Sequence, residues 1–330
     1  MPEFKKRQFL DFEKPIKDLY EQLEQIKASA EKNKTDVSSY LLSLEQKIYD
    51  AKRDLTLNLT PWQKVQLSRH PDRPYTLKYI EKMTENFIEM HGDRNVRDDK
   101  AMVGGFAQLD GETVMFIGQQ KGINTKMRQL RNFGMANPEG YRKALRLMRL
   151  AEKFNKPIVT LIDTPGAYPG MEAEERGQGE AIARNIYEMM GLKVPVICVV
   201  IGEGASGGAL GIGVGDRVFM LENSWYTVIS PENCSSILWR SWDKKETAAE
   251  QLRLTGPDMM RFGLVDGVIP EPAGGSHWDY EESGKILKDY LIKVIKELKK
   301  IPAEKRCADR IEKFGKMGFW QELPQEAEGA

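Results

Sequence analysis

The chain has 330 residues, of which 41% are apolar and 30% are charged, a composition typical of a soluble globular protein with one large domain or two ordinary ones. Its 49 lysines and arginines equal its 49 aspartates and glutamates, so net charge predicts no attraction to nucleic acid or to a membrane. The sequence contains no apolar run of about eighteen residues, and residues 1–14 lack the apolar stretch of a signal peptide. We therefore expect a cytoplasmic protein.

Cysteine spacing gives a second exclusion. The three cysteines, Cys198, Cys234 and Cys307, lie far apart and form no Cys-x-x-Cys pair. This spacing argues against a disulfide framework and against a cysteine-rich zinc site. We expect no metal on this chain.

The first unit, residues 1–70, is predicted to contain a helical hairpin. Apolar residues recur at helical spacing in two stretches on either side of the polar turn at residues 33–36. A two-helix hairpin has little core of its own. It therefore either packs on its own domain or forms an arm that contacts another subunit.

A larger unit is predicted over residues 71–300, followed by a C-terminal helix and polar tail over residues 301–330. Its first helix is predicted at residues 76–90. The turn Asp110-Gly111 between two short apolar runs predicts a β-hairpin. The sequence Asn137-Pro138-Glu139 has the cap, proline and acidic residue that begin a helix, which is predicted to reach about residue 155.

Alternating strands and helices predict an α/β fold. Five apolar strands are predicted, and a helix is predicted after each of the first two. This pattern is typical of a mainly parallel sheet covered on both faces. The first of these strands ends at Asp163 and the second at Gly202, so the loops that follow are expected to open onto one cleft. The predicted strands are residues 158–162, 195–201, 218–221, 226–229 and 265–269.

The glycine-rich segment 202–208 (GEGASGG) fits several motifs. Gly202, Gly204 and Gly207 match the G-x-G-x-x-G of dinucleotide-binding proteins, with Glu222 at the usual distance for the ribose contact. No second nucleotide-binding half is found, which disfavours a dehydrogenase. The triplet Gly204-x-Ser206-x-Gly208 matches the nucleophile elbow of serine hydrolases, for which His277 is the histidine downstream. The glycines are also compatible with close packing alone, as in a non-catalytic assembly subunit.

A fourth interpretation uses the backbone of this segment. Glycines at the start of a helix leave N–H groups unpaired, and the helix dipole favours negative charge beside them. Such donors stabilise a developing oxyanion, which predicts enolate or acyl chemistry without a nucleophilic side chain. The neighbouring loop contains the Asp-x-x-Gly of GTPases at Asp163–Gly166, but the sequence has no G-x-x-x-x-G-K-[ST] to hold the phosphates.

Longer motifs extend over most of the chain. They are residues 132–135 (NFGM), 138–146 (PEGYRKALR), 163–170 (DTPGAYPG), 174–178 (EERGQ), 202–210 (GEGASGGAL), 228–232 (VISPE), 236–239 (SILW) and 269–275 (IPEPAGG). In this order they resemble the carboxyltransferase alpha subunits of bacterial acetyl-CoA carboxylase, and the resemblance runs from the N-terminal hairpin to about residue 300.

The resemblance implies a crotonase/ClpP-like superhelix of ββα units. It also implies an enzyme that transfers a carboxyl group from carboxybiotin, held on the biotin carboxyl carrier protein, to acetyl-CoA. The product would be malonyl-CoA for fatty acid biosynthesis. Activity would require a beta subunit carrying a zinc ribbon, in an α2β2 assembly, and biotin carboxylase would belong to the same ATP-dependent complex.

Site residues follow from the same resemblance. It implies that the amides of Gly207 and Gly208 form an oxyanion hole for the ureido oxygen of biotin. The cleft loops add candidate binding residues at Gly204, Ser206, Thr164, Pro165, Gly166 and Ala167. Candidates for the CoA phosphates are Lys126, Arg128 and Arg131, in a basic run that continues with Arg142, Lys143 and Arg146. A solvated helix face explains part of that run equally well.

Overall fold

A computed structural model of the chain describes residues 7–33 and 36–318. The middle of the predicted turn, residues 34–35, and the predicted polar tail from residue 319 lie outside the described residues.

The secondary structure is given in chain order. The α-helices are α1 (Lys14–Asn33), α2 (Ser38–Leu57), α3 (Pro61–Ser68), α4 (Thr76–Met83), α5 (Thr125–Leu130), α6 (Pro138–Lys153), α7 (Met171–Glu175), α8 (Gln178–Gly191), α9 (Ser206–Leu210), α10 (Pro231–Trp239), α11 (Lys245–Gln251), α12 (Gly256–Arg261), α13 (Tyr280–Leu298) and α14 (Ala303–Gly315). The strands are β1 (Glu85–Glu89), β2 (Met102–Leu109), β3 (Glu112–Gln119), β4 (Ile158–Thr164), β5 (Val196–Ala205), β6 (Arg217–Leu221), β7 (Trp225–Thr227) and β8 (Gly267–Ile269).

These strands form one sheet in the order β1-β2-β3-β4-β5-β6-β8, with β7 paired to the end of β5. The pairs β1–β2 and β2–β3 are antiparallel, and the pairs from β3 to β8 are parallel. The predicted hairpin between β2 and β3 is confirmed. Asp110 and Gly111 have φ angles of 53° and 77°, the positive values that a two-residue turn between twisted strands requires.

Two apolar cores lie on opposite faces of the sheet. In β4, Ile158 and Ile162 face the core that includes residues of α6 and α8, whereas Val159 and Leu161 face the core that includes residues of α4 and α13. Because side chains alternate along a strand, a strand buried on both faces is apolar at most positions, and the polar Thr160 of β4 donates its hydroxyl to the carbonyl of Ile212 at 2.7 Å. This arrangement confirms the predicted α/β architecture. None of the helices in the described ranges is both long enough and apolar enough to span a bilayer.

Three predicted elements are wrong in part. The helix predicted at residues 76–90 ends at Met83, and the next segment forms the edge strand β1, because pairing with β2 overrides its helical apolar spacing. The single helix predicted after the strand at residues 158–162 is divided into α7 and α8 by Gly177, whose φ of 81° is incompatible with a continuous helix. The strand predicted to end at residue 201 continues to Ala205, where β7 supplies its hydrogen-bonding partner.

The N-terminal helices form the predicted hairpin and pack through Leu23, Leu44 and Ile48. At its base, the ring of Tyr20 stacks on Trp278 at 5.3 Å, and the ammonium of Lys52 lies 3.8 Å from the centroid of the Trp278 ring. The hairpin therefore contacts the α/β unit of its own chain. Contact with another subunit stays a prediction.

A buried carboxylate anchors the start of the hairpin. Glu13 Oε1 lies 2.8 Å from His277 Nε2, and Glu13 Oε2 lies 3.5 Å from His70 Nε2. Burial lowers the pKa of His277 to about 4, although Glu13 acts in the opposite direction. Burial alone would raise the pKa of Glu13, but hydrogen bonds with His277 and His70 hold it well below its ordinary value.

We expect the free energy of unfolding to decrease as the pH falls from 6.5, the ordinary pKa of histidine, towards 4. In this window His277 takes up a proton in the unfolded chain but not in the folded chain, so protonation favours unfolding, by at most about 1.4 kcal/mol per pH unit. The test is thermal unfolding between pH 8 and pH 5. The melting temperature of the wild-type chain should fall more steeply than that of His277→Gln, and parallel profiles would contradict the assignment.

Candidate functional site

The site is built at the carboxyl ends of β4 and β5. These strands pair in parallel, and Thr164 lies opposite Gly204. Ser206 then turns the chain into α9 with a φ of 56°, a left-handed conformation that a non-glycine residue rarely adopts. The turn places the start of α9 against the loop after β4.

Gly208 lies directly against that loop. A Cβ atom on Gly208 would be 2.4 Å from the carbonyl carbon of Gly166 and 2.5 Å from the nitrogen of Ala167. The loop itself is closed by Thr164, whose hydroxyl donates to the Gly166 carbonyl at 2.6 Å. The structure therefore brings together the two segments that contain the predicted site residues, and it requires glycine at position 208.

Gln119, which is buried at the end of β3, joins the same two segments. Its Nε2 donates to the carbonyl of Gly208 at 2.9 Å, and its Oε1 accepts from the amide of Asp163 at 3.0 Å. The hydroxyl of Tyr141 donates to the same Gly208 carbonyl at 3.4 Å. These contacts fix the orientation of the peptide that follows Gly208.

The amides of Gly207 and Gly208 lie in the first turn of α9, so they have no acceptor within the helix. Neither amide donates a hydrogen bond to another described residue. Gly207 is partly exposed and Gly208 is buried. The two donors are adjacent, and an oxygen atom with negative charge is the ligand they suit.

An apolar cavity of about 410 Å³ borders Ser206 and Gly207. Its walls come from the segments around β6, β7, α12 and α14. An apolar wall excludes water, which strengthens hydrogen bonds to a charged oxygen at its edge. The other lining residues are Leu210, Gly213, Val218, Tyr226, Thr227, Val228, Leu252, Met259, Phe262, Leu264, Phe314 and Met317.

A second cavity, of about 170 Å³, contains charged groups that the sequence analysis missed. Lys121 Nζ donates to Asp163 Oδ1 at 2.6 Å and to Glu203 Oε2 at 2.5 Å, and Arg69 Nε donates to Glu203 Oε1 at 2.6 Å. One signal was available in the sequence, because Lys121 follows a buried strand and therefore lies at the same sheet edge as Asp163. Tyr75, Arg128, Phe133 and Pro165 complete the lining.

Burial and charge act against each other in this cluster. Burial raises the pKa of Asp163, whereas Lys121 and Arg69 overcome the burial of Glu203 and lower its pKa to about 2. Burial of Lys121 favours its neutral form, but Asp163 and Glu203 outweigh it and raise the pKa of the ammonium group. Glu203 and Lys121 are therefore charged at neutral pH.

The predicted basic residues do not converge on one place. Arg128 lines the second cavity and donates from Nε to the carbonyl of Gly122 at 3.1 Å. Lys126 is exposed, and Arg131 donates to the carbonyl of Lys100 at 2.7 Å. These contacts leave a role for the three residues in binding phosphate as a prediction.

The C-terminal part of the basic run is structural. Lys143 is buried and donates to Asp98 at 2.6 Å, so the solvated-face interpretation is wrong for this residue. Arg142 donates to Asp93 at 2.9 Å, and Arg146 donates to the carbonyl of Gly92 at 3.0 Å. The three side chains hold the loop before β2 against α6.

The environment of the glycine segment weakens two alternatives. His277 is hydrogen-bonded to Glu13, and no hydrogen bond joins it to Ser206 among the described residues, as a hydrolase would require. Glu222 accepts from the amide of Glu271 at 3.2 Å and so contributes to a structural turn. It is not free for the ribose contact of a dinucleotide site.

The cluster of Glu13, His70 and His277 has the residue types of a metal site, with ligand atoms within 4.8 Å of one another. However, the amide of Asp72 donates to His70 Nδ1 at 3.0 Å. A neutral imidazole has one lone pair, so His70 Nε2 must carry the proton and cannot bind a metal. The cluster is instead suited to hydrogen bonding between the two histidines and the carboxylate of Glu13.

Comparison with known proteins was made against families, curated sequences and solved structures. The model of the family described as acetyl co-enzyme A carboxylase carboxyltransferase-like matches residues 9–318. The acetyl-coenzyme A carboxylase carboxyl transferase subunit alpha of Flavobacterium psychrophilum is 61% identical over 316 residues, which cover 96% of this chain and 100% of that protein.

Two solved structures share the fold. A Pseudomonas malonate decarboxylase hetero-tetramer in complex with coenzyme A aligns with a TM-score of 0.55 at 15% identity, over 72% of this chain and 92% of that one. Transcarboxylase 12S aligns with a TM-score of 0.52 at 22% identity, over 67% of this chain and 42% of that one. These similarities confirm the predicted crotonase-like α/β fold.

Two alanine substitutions test the close contact at α9. We expect Gly208→Ala to destabilise the chain by about 1–3 kcal/mol, because the new methyl group overlaps the Gly166 backbone. Gly207→Ala is the matched control, since its Cβ would lie 3.7 Å from Ile182, an ordinary contact. The measurement is the free energy of unfolding in denaturant, and equal values for the two variants would refute the contact.

Proposed function

The chain belongs to the acetyl-CoA carboxylase carboxyltransferase family, and on this premise we propose that, with a beta subunit, it transfers a carboxyl group from carboxybiotin to acetyl-CoA to form malonyl-CoA. The observation that carries the proposal is the pair of free amides at Gly207 and Gly208 beside an apolar cavity. Carboxybiotin supplies the carboxyl group, and fatty acid biosynthesis uses the product.

The residues at α9 fit the ureido oxygen of biotin. Two backbone donors without a protein acceptor suit a carbonyl oxygen, and the apolar cavity suits the uncharged rings next to it. As negative charge grows on that oxygen, the amides of Gly207 and Gly208 stabilise it without having to reorganise. Because the donors belong to the backbone, no nucleophilic side chain of this chain takes part.

The lining of the apolar cavity supports a shared active site. Its described residues include no carboxylate, lysine, arginine or histidine, and burial raises the pKa of Tyr226. This half of the site therefore supplies oxyanion donors and no protein base. We assign the thioester to the zinc-ribbon beta subunit, in an α2β2 assembly.

The remaining partners follow from the same assignment. The biotin carboxyl carrier protein delivers the carboxyl group, after biotin carboxylase has charged it in an ATP-dependent step. The assembly is placed in the cytoplasm. Thr164, Pro165, Gly166, Ala167, Gly204 and Ser206 form the cleft loops, and Lys126, Arg128 and Arg131 are assigned to the CoA phosphates.

The test uses the chain assembled with its beta subunit and follows malonyl-CoA decarboxylation with free biotin as acceptor. We expect Gly207→Val to lower kcat by about 100-fold with little change in the KM for malonyl-CoA, because the added side chain shields the donors from biotin. Gly207→Ala is the control for the backbone change. Its kcat should stay within about threefold of the wild-type value, because the added methyl group has room.

Each alternative predicts a different outcome in this assay. A wild-type assembly that does not turn over malonyl-CoA would refute the proposed function. Normal turnover by Gly207→Val would favour a non-catalytic assembly subunit. We expect Ser206→Ala to retain activity, and its loss in a variant that still assembles would favour the hydrolase.

A further inference from the structure

We propose that Lys121 is a positioning residue of the carboxyltransferase: its ammonium group joins the ends of β4 and β5 and so fixes the 164–167 loop against the amide donors of α9. The inference rests on the proposed function, since it assigns a role within the same site. It concerns a side chain that lines the second cavity, whereas Gly207 lines the first.

The ammonium contacts both strands that carry the site. Lys121 Nζ is 2.6 Å from Asp163 Oδ1, one residue before the loop, and 2.5 Å from Glu203 Oε2, three residues before α9. The two strands are also linked directly, because the amide of Glu203 donates to the same Asp163 oxygen at 3.0 Å. Asp163 Oδ1 therefore accepts two hydrogen bonds, one from the backbone of β5 and one from the ammonium of Lys121.

The backbone packs closely against two members of the cluster. A Cβ atom on Gly202 would lie 2.5 Å from Asp163 Oδ1, and one on Gly134 would lie 2.9 Å from Cγ of Lys121. Loss of the ammonium removes the contact that holds Asp163 and Glu203 together, so we expect the ends of β4 and β5 to shift relative to each other. Since Gly208 is in contact with Gly166, such a movement alters the geometry of the donors.

Stability alone is a weak explanation for the cluster. Lys121, Asp163 and Glu203 are all buried, with exposed fractions of 9%, 2% and 5%. Removing such charges from water costs several kcal/mol per ion, and apolar residues of similar size often stabilise a core equally well. Further from the strand ends, Arg69 bridges Glu203 and Glu232, so three carboxylates share two cations. What an apolar group cannot supply is a donor that holds two carboxylates at a set distance.

The first test is the double variant Lys121→Met/Asp163→Asn. It removes one positive and one negative charge and leaves Glu203 paired with Arg69, so no buried carboxylate loses its only cation and the chain should fold and assemble with the beta subunit. We expect a kcat at least about tenfold below that of the wild-type assembly, because a donor displaced by a fraction of an ångström stabilises the transition state poorly. The KM for malonyl-CoA should stay within about twofold, since the thioester is assigned to the beta subunit.

The second test is chemical rescue. In Lys121→Ala, the 170 Å³ cavity that borders the missing side chain should admit a small amine. We expect ethylammonium to raise kcat with saturation, because its N–H groups can bridge Asp163 and Glu203. Tetramethylammonium has the same charge but no donor and should have no effect.

Lys143→Met is the matched control. Lys143 is also a buried lysine paired with a carboxylate, Asp98, but it contacts neither strand end of the site. Its loss should lower the melting temperature and leave kcat and KM unchanged. If kcat also falls in Lys143→Met, the decrease in the Lys121 variants is a general effect of losing a buried lysine.

Three outcomes would overturn the inference. The first is a double variant with kcat within about twofold of the wild-type value. The second is a Lys121→Ala assembly that ethylammonium does not rescue, and the third is failure of both variants to assemble, which would assign Lys121 to folding. The proposed function fails separately, if the wild-type assembly itself has no activity.

Discussion

Parallel pairing of β4 with β5 is the constraint on which the rest of the site depends. It brings two acidic residues, Asp163 and Glu203, to one edge of the sheet, where both are buried. Like charges repel each other more strongly when water is excluded. A cation between the carboxylates offsets this repulsion, and Lys121 provides it just after the end of β3. The order of the strands, β3-β4-β5, thus also explains the source of the cation.

The same edge explains the glycines. Because β5 continues to Ala205 and Ser206 turns sharply, α9 begins close to the loop after β4. At Gly208 the two backbones are so close that no Cβ atom fits, whereas Gly207 and Gly177 face open space or ordinary contacts. Glycine is therefore needed at position 208 for close approach and at position 177 for its positive φ. At position 207 no close contact requires glycine, because a Cβ atom would make only an ordinary contact with Ile182.

Much of the fold could be predicted from the sequence, since the buried strands are mostly apolar and the turns have distinctive residues. Asp110-Gly111 predicts its hairpin, and the apolar residues of β4 and β5 predict central strands. Segments whose structure depends on a distant partner could not be predicted. Residues 85–89 form a strand because β2 lies beside them, and residues 203–205 remain extended because β7 pairs with them. For the site, the sequence predicted that the donors lie near the loop at 163–170. It could not show that Lys121, 42 residues before Asp163, lies between the carboxylates of Asp163 and Glu203.

One strand–turn–helix backbone satisfies three motifs here, because all three need the same local geometry. A dinucleotide site, a nucleophile elbow and an oxyanion hole each require a strand that ends in a sharp turn before a helix. The chemistry is decided by the side chains that other parts of the chain bring to the turn. In this protein the histidine that a hydrolase would need is engaged by Glu13 at the base of the hairpin, and the acid that a dinucleotide site would need holds a turn. The other residues that line the cavity beside α9 are apolar or glycine, apart from Tyr226, Thr227 and Ser206, so the unpaired backbone amides at the start of α9 lie next to a mainly apolar wall. A site of this kind stabilises charge on a substrate oxygen and must obtain the rest of its chemistry from the substrate or from a second subunit.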